Sequence, residues 1–202
     1  MEIWLDSCNP IIINEASERG LICGITTNPK ILKSSSKPAK KTIEKLLEIQ
    51  TGPVTWQVES TNAQDMIEEG INYFSLSPKI IVKIPVTKDG LKAIHALKKQ
   101  NIPTLATVIY DPIQALMASK AGANLAAVYI GRMEDARLDW QDLLQKSSSF
   151  CNIMGASLRS IEHYLKCQEL GCKAVTVGDK LFEKLISDNL LTLKSLEEFR
   201  SL

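Results

Sequence analysis

Short apolar runs alternate with amphipathic stretches along the whole chain. Ile3 to Asp6 predicts a first strand and Pro10 to Gly20 a helix; Ile22 to Thr26 predicts a second strand, which Thr27-Asn28-Pro29 breaks. A Ser/Lys-rich loop from Lys33 to Lys41 leads into a helix ending near Gln50, with Gly52-Pro53 as its stop. Val54 to Glu59 is a third strand, and Ala63 to Leu76 is helical, with Met66, Ile67, Gly70, Ile71 and Phe74 on its packing side. The run Lys79 to Thr87 is rich in β-branched residues and predicts a buried fourth strand. Thr87-Lys88-Asp89-Gly90 opens a helix through Lys99. Pro103 to Ile109 is strand five, and Asp111-Pro112 supplies an N-cap and first-turn proline for a helix ending at Gly122. Leu125 to Ile130 is strand six, followed by a charged stretch and a helix from Trp140 to Lys146. Asn152 to Ala156 is strand seven, with a helix from Ser160 to Leu170. Lys173 to Val177 is strand eight, with helices from Asp179 to Ile186 and Leu193 to Arg200.

Eight strands alternating with helices predict an α/β fold, a single (β/α)₈ TIM barrel domain over residues 1–202 with an additional C-terminal helix. A doubly wound open sheet is the alternative. It needs no eighth repeat and usually carries a glycine-rich phosphate turn, and the chain has no G-x-G-x-x-G.

Lys83 interrupts the most apolar of these runs. Burial penalises an ammonium unless it is paired, and an amine held neutral is a nucleophile that can form a Schiff base with a carbonyl. The alternative is a strand-end lysine whose head snorkels to water. In (β/α)₈ barrels the chemistry sits at the C-terminal strand ends, and side chains alternate inward and outward. Read this way, Asp6, Thr26, Gln57, Lys83, Thr107, Tyr129 and Ser157 collect at one end, with Trp4, Gly24, Thr55, Ile81, Leu105, Ala127 and Gly155 on the same faces one layer below. Polar strand ends also serve simply to satisfy loop amides. Arg132 and Arg159 follow strands six and seven. Together with Ser157 they form a candidate phosphate clamp, against the alternative that they are surface charges. A nucleophilic lysine, a phenol, neutral hydrogen-bonding groups, a carboxylate and an anion clamp suit carbon–carbon bond cleavage through an imine.

Charge narrows the classes. The chain carries 24 basic and 23 acidic residues, which argues against a nucleic-acid partner. No run approaches the roughly 18 apolar residues of a membrane span. The start, Met1-Glu2-Ile3-Trp4-Leu5-Asp6, has no secretory pattern, so a cytoplasmic location is expected. Five cysteines without a C-x-x-C pair read as reduced thiols, mostly core fillers. The two histidines, His95 and His163, fall in helical segments, which argues against a histidine-built metal site.

Leu5-Asp6, Gly24-Ile25-Thr26-Thr27-Asn28-Pro29, Val82-Lys83-Ile84-Pro85 with the following Val86 to Gly90, and Ile102 to Thr107 together resemble the small-transaldolase and fructose-6-phosphate aldolase family. The likeness continues through Ala118 to Ala123, Tyr129-Ile130-Gly131-Arg132 and Ala156-Ser157, covering nearly the whole chain. The resemblance implies that Lys83 is the Schiff-base lysine. It implies that Asp6 and Asn28 orient donor hydroxyls with Thr26 nearby, that Gln57, Thr107 and Tyr129 hold the water or proton of cleavage, and that Arg132, Ser157 and Arg159 bind the acceptor phosphate. It also implies sugar phosphates and dihydroxyacetone as substrates, no metal or organic cofactor, and a homo-oligomer, pentamer or decamer. The sequence ends at Leu202, before the longer tail that packs on a neighbouring subunit in well-known relatives.

Within the family, the transaldolase branch typically has glutamate, serine and phenylalanine where this chain has Gln57, Ala127 and Tyr129. All three positions match the aldolase branch, in which a phenol can serve as acid and base. Val128 departs from that branch, which usually has proline there. The expectation is therefore cleavage and formation of fructose 6-phosphate from dihydroxyacetone and glyceraldehyde 3-phosphate. Transfer of a dihydroxyacetone unit between sugar phosphates is the alternative. A barrel that binds a sugar phosphate without turning it over is the rival from another class.

Overall fold

A computed structural model describes residues 1–201. Its eight strands are β1 (Glu2–Asp6), β2 (Gly24–Thr26), β3 (Val54–Gln57), β4 (Ile80–Pro85), β5 (Thr104–Ile109), β6 (Leu125–Tyr129), β7 (Ile153–Ala156) and β8 (Ala174–Val177). They pair in sequence order, all parallel, and β8 closes on β1. The TIM barrel expected from the alternation is the fold observed.

Helices α1 (Pro10–Glu18), α3 (Ala39–Ile49), α4 (Ala63–Phe74), α5 (Lys88–Lys99), α6 (Pro112–Ala121), α8 (Trp140–Ser147), α9 (Ile161–Glu169) and α10 (Asp179–Leu185) occupy the successive connections. Two short helices lie in loops at the C-terminal strand ends, α2 (Pro29–Ser34) and α7 (Ile130–Asp135), and α11 (Leu190–Arg200) follows the barrel. Most helices start on side-chain caps: Asn62, Thr87 and Ser160 each accept from the amide three residues on, while Asp111 caps Ile113 ahead of Pro112.

Three local departures have physical causes. The Thr27-Asn28-Pro29 break is a helix start: Asn28 Oδ1 accepts from Ile31 N at 3.1 Å, and Pro29 takes the first helical position. The charged stretch after β6 is α7, which buries Ile130, Gly131 and Met133. Strand β3 ends at Gln57 rather than Glu59, because the amides of Glu59 and Ser60 leave the ladder to donate to the Glu69 carboxylate.

The core has two layers. An outer layer between sheet and helices is aliphatic, with Leu5, Ile25, Val54, Val82, Ile84 and Val175 among its fully buried side chains. The barrel interior holds Trp4, Leu105, Ala127, Tyr129, Met154, Ala156 and Ala174. Gly24 makes room for Trp4: a Cβ there would lie 2.6 Å from the indole ring. Parity on β7 differs from the expected one. Met154 and Ala156 face the interior, while Gly155 faces outward against Cys167 of α9 and Ile130. Of the cysteines, Cys151, Cys167 and Cys172 are buried, Cys8 is half-buried and Cys23 is exposed; all are free thiols. No helix among the described residues is long and apolar enough to cross a membrane.

Candidate active site

Lys83 stands on β4 with its whole side chain buried, 4% exposed. Its Nζ donates to the Thr27 carbonyl oxygen at 2.9 Å. That carbonyl belongs to the β2–α2 turn, which Thr55 braces: Thr27 N donates to Thr55 Oγ1 at 3.0 Å, and Thr27 Oγ1 donates to the Thr55 carbonyl at 2.6 Å. The turn that Asn28 caps thus also fixes the amine. Gln57 is the register partner of Lys83 on β3. Its Oε1 is buried without a hydrogen-bond partner, a group free to meet a water or a substrate hydroxyl.

Asp6 and Thr26 are register partners at the ends of β1 and β2. Thr26 Oγ1 donates to Asp6 Oδ1 at 2.7 Å and lies 2.6 Å from Thr176 Oγ1 of β8. Burial pushes the Asp6 carboxyl above the usual aspartate range, against the lowering pull of the Lys83 charge and the Thr26 hydroxyl; Asp179 adds to the rise. On the other side, Thr107 Oγ1 donates to Tyr129 Oη at 3.2 Å. The Tyr129 ring meets Tyr110 edge-on at 6.0 Å and carries the Arg132 guanidinium 4.8 Å from its centroid.

Two residues beside these groups have left-handed backbone. Val108 (φ 63°) lies where the β5–β6 register shifts between Ala106 and Ile109, and Ser157 (φ 59°) directly follows β7. Such conformations cost about 1–3 kcal/mol each and gather at functional sites. The turn at Ser157 brings it to the mouth beside Ala156, although the alternation along β7 runs the other way. Gly131 permits the close approach: a Cβ there would run into the Ser157 carbonyl oxygen and lie 2.7 Å from Arg159 Nε.

A cavity of about 370 Å³ opens over the lysine. It joins Asp6, Asn28, Lys83, Tyr129, Arg132 and Ser157, all predicted from sequence, and adds Lys30, Ile31, Ser34, Ala156 and Thr176. Thr26 is fully buried beneath it, and Thr107 and Ala127 are buried in the interior. Gln57 borders a separate cavity with Pro29, Pro85 and Thr87. Arg159 lines a larger neighbouring cavity of about 890 Å³, which shares Asp6, Ile31 and Ser34 with the first. Both terminal nitrogens of the Arg159 guanidinium donate to the two carboxylate oxygens of Asp135 at the end of α7. A second tie runs alongside: Arg159 N donates to His163 Nδ1, and His163 Nε2 lies 3.3 Å from Glu134 Oε1.

Sequence reasoning missed Thr176, although it is the only polar residue of β8, and Lys30, which directly follows the Thr27-Asn28-Pro29 break. Among the described residues, no group of three or more His, Cys, Asp or Glu side chains is placed to hold a metal ion. A buried amine, an adjoining carboxyl, a phenol and cations around one cavity can bind a phosphorylated carbonyl compound and attack its carbonyl carbon.

The family model described as transaldolase/fructose-6-phosphate aldolase matches residues 3–201. Proteins named probable transaldolase from Caulobacter vibrioides and Aquifex aeolicus are each 35% identical to this chain, over 98% of it and 94% of their own length. A third of that name, from Thermoplasma volcanium, is 35% identical over 92% of this chain and 88% of its own. Among solved structures, inosine 5' monophosphate dehydrogenase from Legionella pneumophila superimposes with a TM-score of 0.62 at 14% identity, over 90% of this chain and 58% of that longer one, a likeness of fold alone. The chain belongs to the transaldolase/fructose-6-phosphate aldolase family of enzymes.

Proposed function

We propose that this protein transfers a dihydroxyacetone unit between sugar phosphates through a Schiff base on Lys83. The observation that carries the reading is the buried Lys83 amine, held by the Thr27 carbonyl and opening on a cavity beside Asp6. The Lys83 amine gives one N–H to the Thr27 carbonyl, and after giving up a proton it attacks the substrate's C2 carbonyl carbon with its lone pair. Attack and loss of water leave an iminium. As the C3–C4 bond of a ketose phosphate breaks, the C4 hydroxyl loses its proton, an aldose phosphate departs, and the bonding electrons pass into the iminium to give an enamine. The enamine carbon then attacks the carbonyl carbon of an acceptor aldose phosphate, and water releases the new ketose and Lys83.

Asp6 supports the donor end, because its carboxyl lies among Lys83, Thr26 and the cavity. Asn28 uses its Oδ1 to cap α2, which leaves its amide N–H groups for donor hydroxyls. Arg132 and Ser157 bind the phosphate. The names of relatives that match nearly the whole chain support transfer better than the fructose-6-phosphate aldolase reading that the sequence favoured.

The aldolase reading keeps one specific support. The Tyr129 hydroxyl, bonded to Thr107, can protonate the enamine and release dihydroxyacetone. The deciding measurement is the rate of transfer from fructose 6-phosphate to erythrose 4-phosphate against the rate of dihydroxyacetone release. Transfer is expected to be the faster in the wild type. Tyr129→Phe is expected to lower release by ~10²-fold or more, with transfer falling much less. Release that outpaces transfer in the wild type makes the protein an aldolase.

A further inference from the structure

Arg132 on α7 and Ser157 in the loop after β7 face the lysine cavity from two separate pieces of chain. A phosphate met by both needs those pieces at a fixed separation. Among the described residues, three polar ties join them. Gly131 N donates to the Ser157 carbonyl at 3.2 Å. The Arg159 guanidinium forks onto Asp135. The third tie runs through His163 of α9, which is 6% exposed. Arg159 N donates to its Nδ1 at 3.3 Å, and its Nε2 lies 3.3 Å from Glu134 Oε1 on α7.

These ties differ in kind. The Arg159–Asp135 pair is exposed on both sides, where solvent screening leaves an ion pair little strength. It also occupies the guanidinium edge that a phosphate takes, so an anion that draws Arg159 inward opens it. The His163 tie grips the main chain of Arg159 instead, and leaves the side chain free to turn while the loop stays in place.

The partners also fix which ring nitrogen carries the proton. An amide N–H cannot accept, so Nδ1 presents its lone pair, and the proton sits on Nε2 and is donated to the Glu134 carboxylate. Trp140 of α8 meets the ring edge-on at 5.3 Å. A helix cap explains half of this arrangement: Ser160 Oγ accepts from His163 N at 3.2 Å while the His163 side chain accepts from Arg159 N. Glutamate or asparagine would serve that purpose. The second nitrogen reaches a different helix, α7, for which a cap of α9 has no use.

We propose that His163, in its Nε2–H tautomer, is a positioning residue that holds the loop after β7 against α7 and so sets the affinity for the phosphate end of the substrate. This rests on the sugar-phosphate reading of the cavity.

The test is titration with inorganic phosphate of the wild type and four variants. His163→Leu removes both contacts, His163→Asn keeps an acceptor for Arg159 N but is too short for Glu134, and His163→Gln has an acceptor and a donor to replace both. Glu134→Ala removes the far partner from an exposed position, without touching the buried ring. His163→Leu is expected to weaken phosphate binding about tenfold and Glu134→Ala about threefold, the order carried by one hydrogen bond. His163→Gln is expected to restore most of the loss, and His163→Asn to restore less. KM for erythrose 4-phosphate should rise in step, with kcat and the use of unphosphorylated erythrose little changed. Nitrogen-15 NMR of the wild-type imidazole should show the proton on Nε2. A proton on Nδ1, a Glu134→Ala variant that binds phosphate as the wild type does, or His163→Asn matching the wild type each overturns the proposal, the last by reducing His163 to a helix cap. Equal losses for both acceptors overturn it as well. These outcomes leave the sugar-phosphate reading standing, whereas a wild type that binds no phosphate sinks that reading and the proposal together. Borohydride trapping with dihydroxyacetone reads the Lys83 chemistry separately from either.

Discussion

Across β1 to β4 the polar strand ends sit in register: Asp6 stands opposite Thr26, whose hydroxyl bonds it, and Gln57 opposite Lys83. The backbone at these four residues is ordinary strand. Across β5 to β7 the ladder slips between Ala106 and Ile109, Val108 and Ser157 adopt left-handed backbone, and Arg132 comes from α7. The first half fixes a nucleophile through regular geometry. The second half shapes an anion and proton site by leaving that geometry, at a cost of about 1–3 kcal/mol for each left-handed residue. A nucleophile needs one direction of approach and one held N–H, which a parallel ladder provides. A phosphate presents several oxygens and has to be met from several sides, which a ladder alone does not supply.

The sharpest way to break this division is at Lys83. Lys83→Met keeps the length and apolar stem of the side chain and removes only the amine, so the barrel is expected to fold and turnover to fall by ~10⁴-fold or more. Loss of the borohydride-trapped adduct mass checks that the amine, and not the fold, has gone. Residual activity within about tenfold of the wild type would show that the reacting amine lies elsewhere.

The contrast between the halves also governs what the sequence reveals. Lys83 is legible because a charge inside an apolar β-branched run has few explanations. Asp6, Thr26, Gln57 and Tyr129 follow from strand ends and alternation, and the barrel follows from the repeat of apolar runs. Alternation fails at Ser157, where a single residue in the left-handed region reverses the expected face, and no pattern in Gly155-Ala156-Ser157 announces it. Lys30 was hidden because Thr27-Asn28-Pro29 ends a strand and starts a helix at once; asparagine followed by proline was the available signal. The state of Arg159 depends on Asp135, a partner 24 residues away, which spacing does not disclose. Thr176 carried a signal that went unused, a lone hydroxyl in the run Ala174-Val175-Thr176-Val177.

A smaller effect tests whether strain in the second half serves the site. Ser157→Gly relieves the left-handed penalty of about 1–2 kcal/mol but adds about 0.5–1 kcal/mol of unfolded-chain entropy. The expected outcome is a gain in stability of up to about 1.5 kcal/mol, read by urea unfolding, together with a rise in KM for phosphorylated acceptors as the hydroxyl is lost. A variant that loses stability would show that the Ser157 side chain holds the loop, and the comparison between the halves would then need another basis.

The smallest expected effect lies in the regular half, at Asp6, and it is read as a pH dependence of stability. Burial raises this carboxyl above its ordinary range, so the folded protein keeps the proton to a higher pH than the unfolded chain. Stability from this group is therefore fully present below the unfolded pKa of about 3.9 and is lost as pH rises through the folded value. At neutral pH the buried carboxylate sits at a cost that Lys83 and the Thr26 hydroxyl offset only in part. Asparagine has no proton to lose, and its oxygen still accepts from Thr26. Asp6→Asn is accordingly expected to be more stable than the wild type at pH 7, with the gap closing toward pH 4, while turnover falls. Urea midpoints for both proteins at the two pH values measure this directly. A wild type that is the more stable at pH 7 would mean that attraction to Lys83 outweighs desolvation, and that the regular half holds its carboxylate without cost.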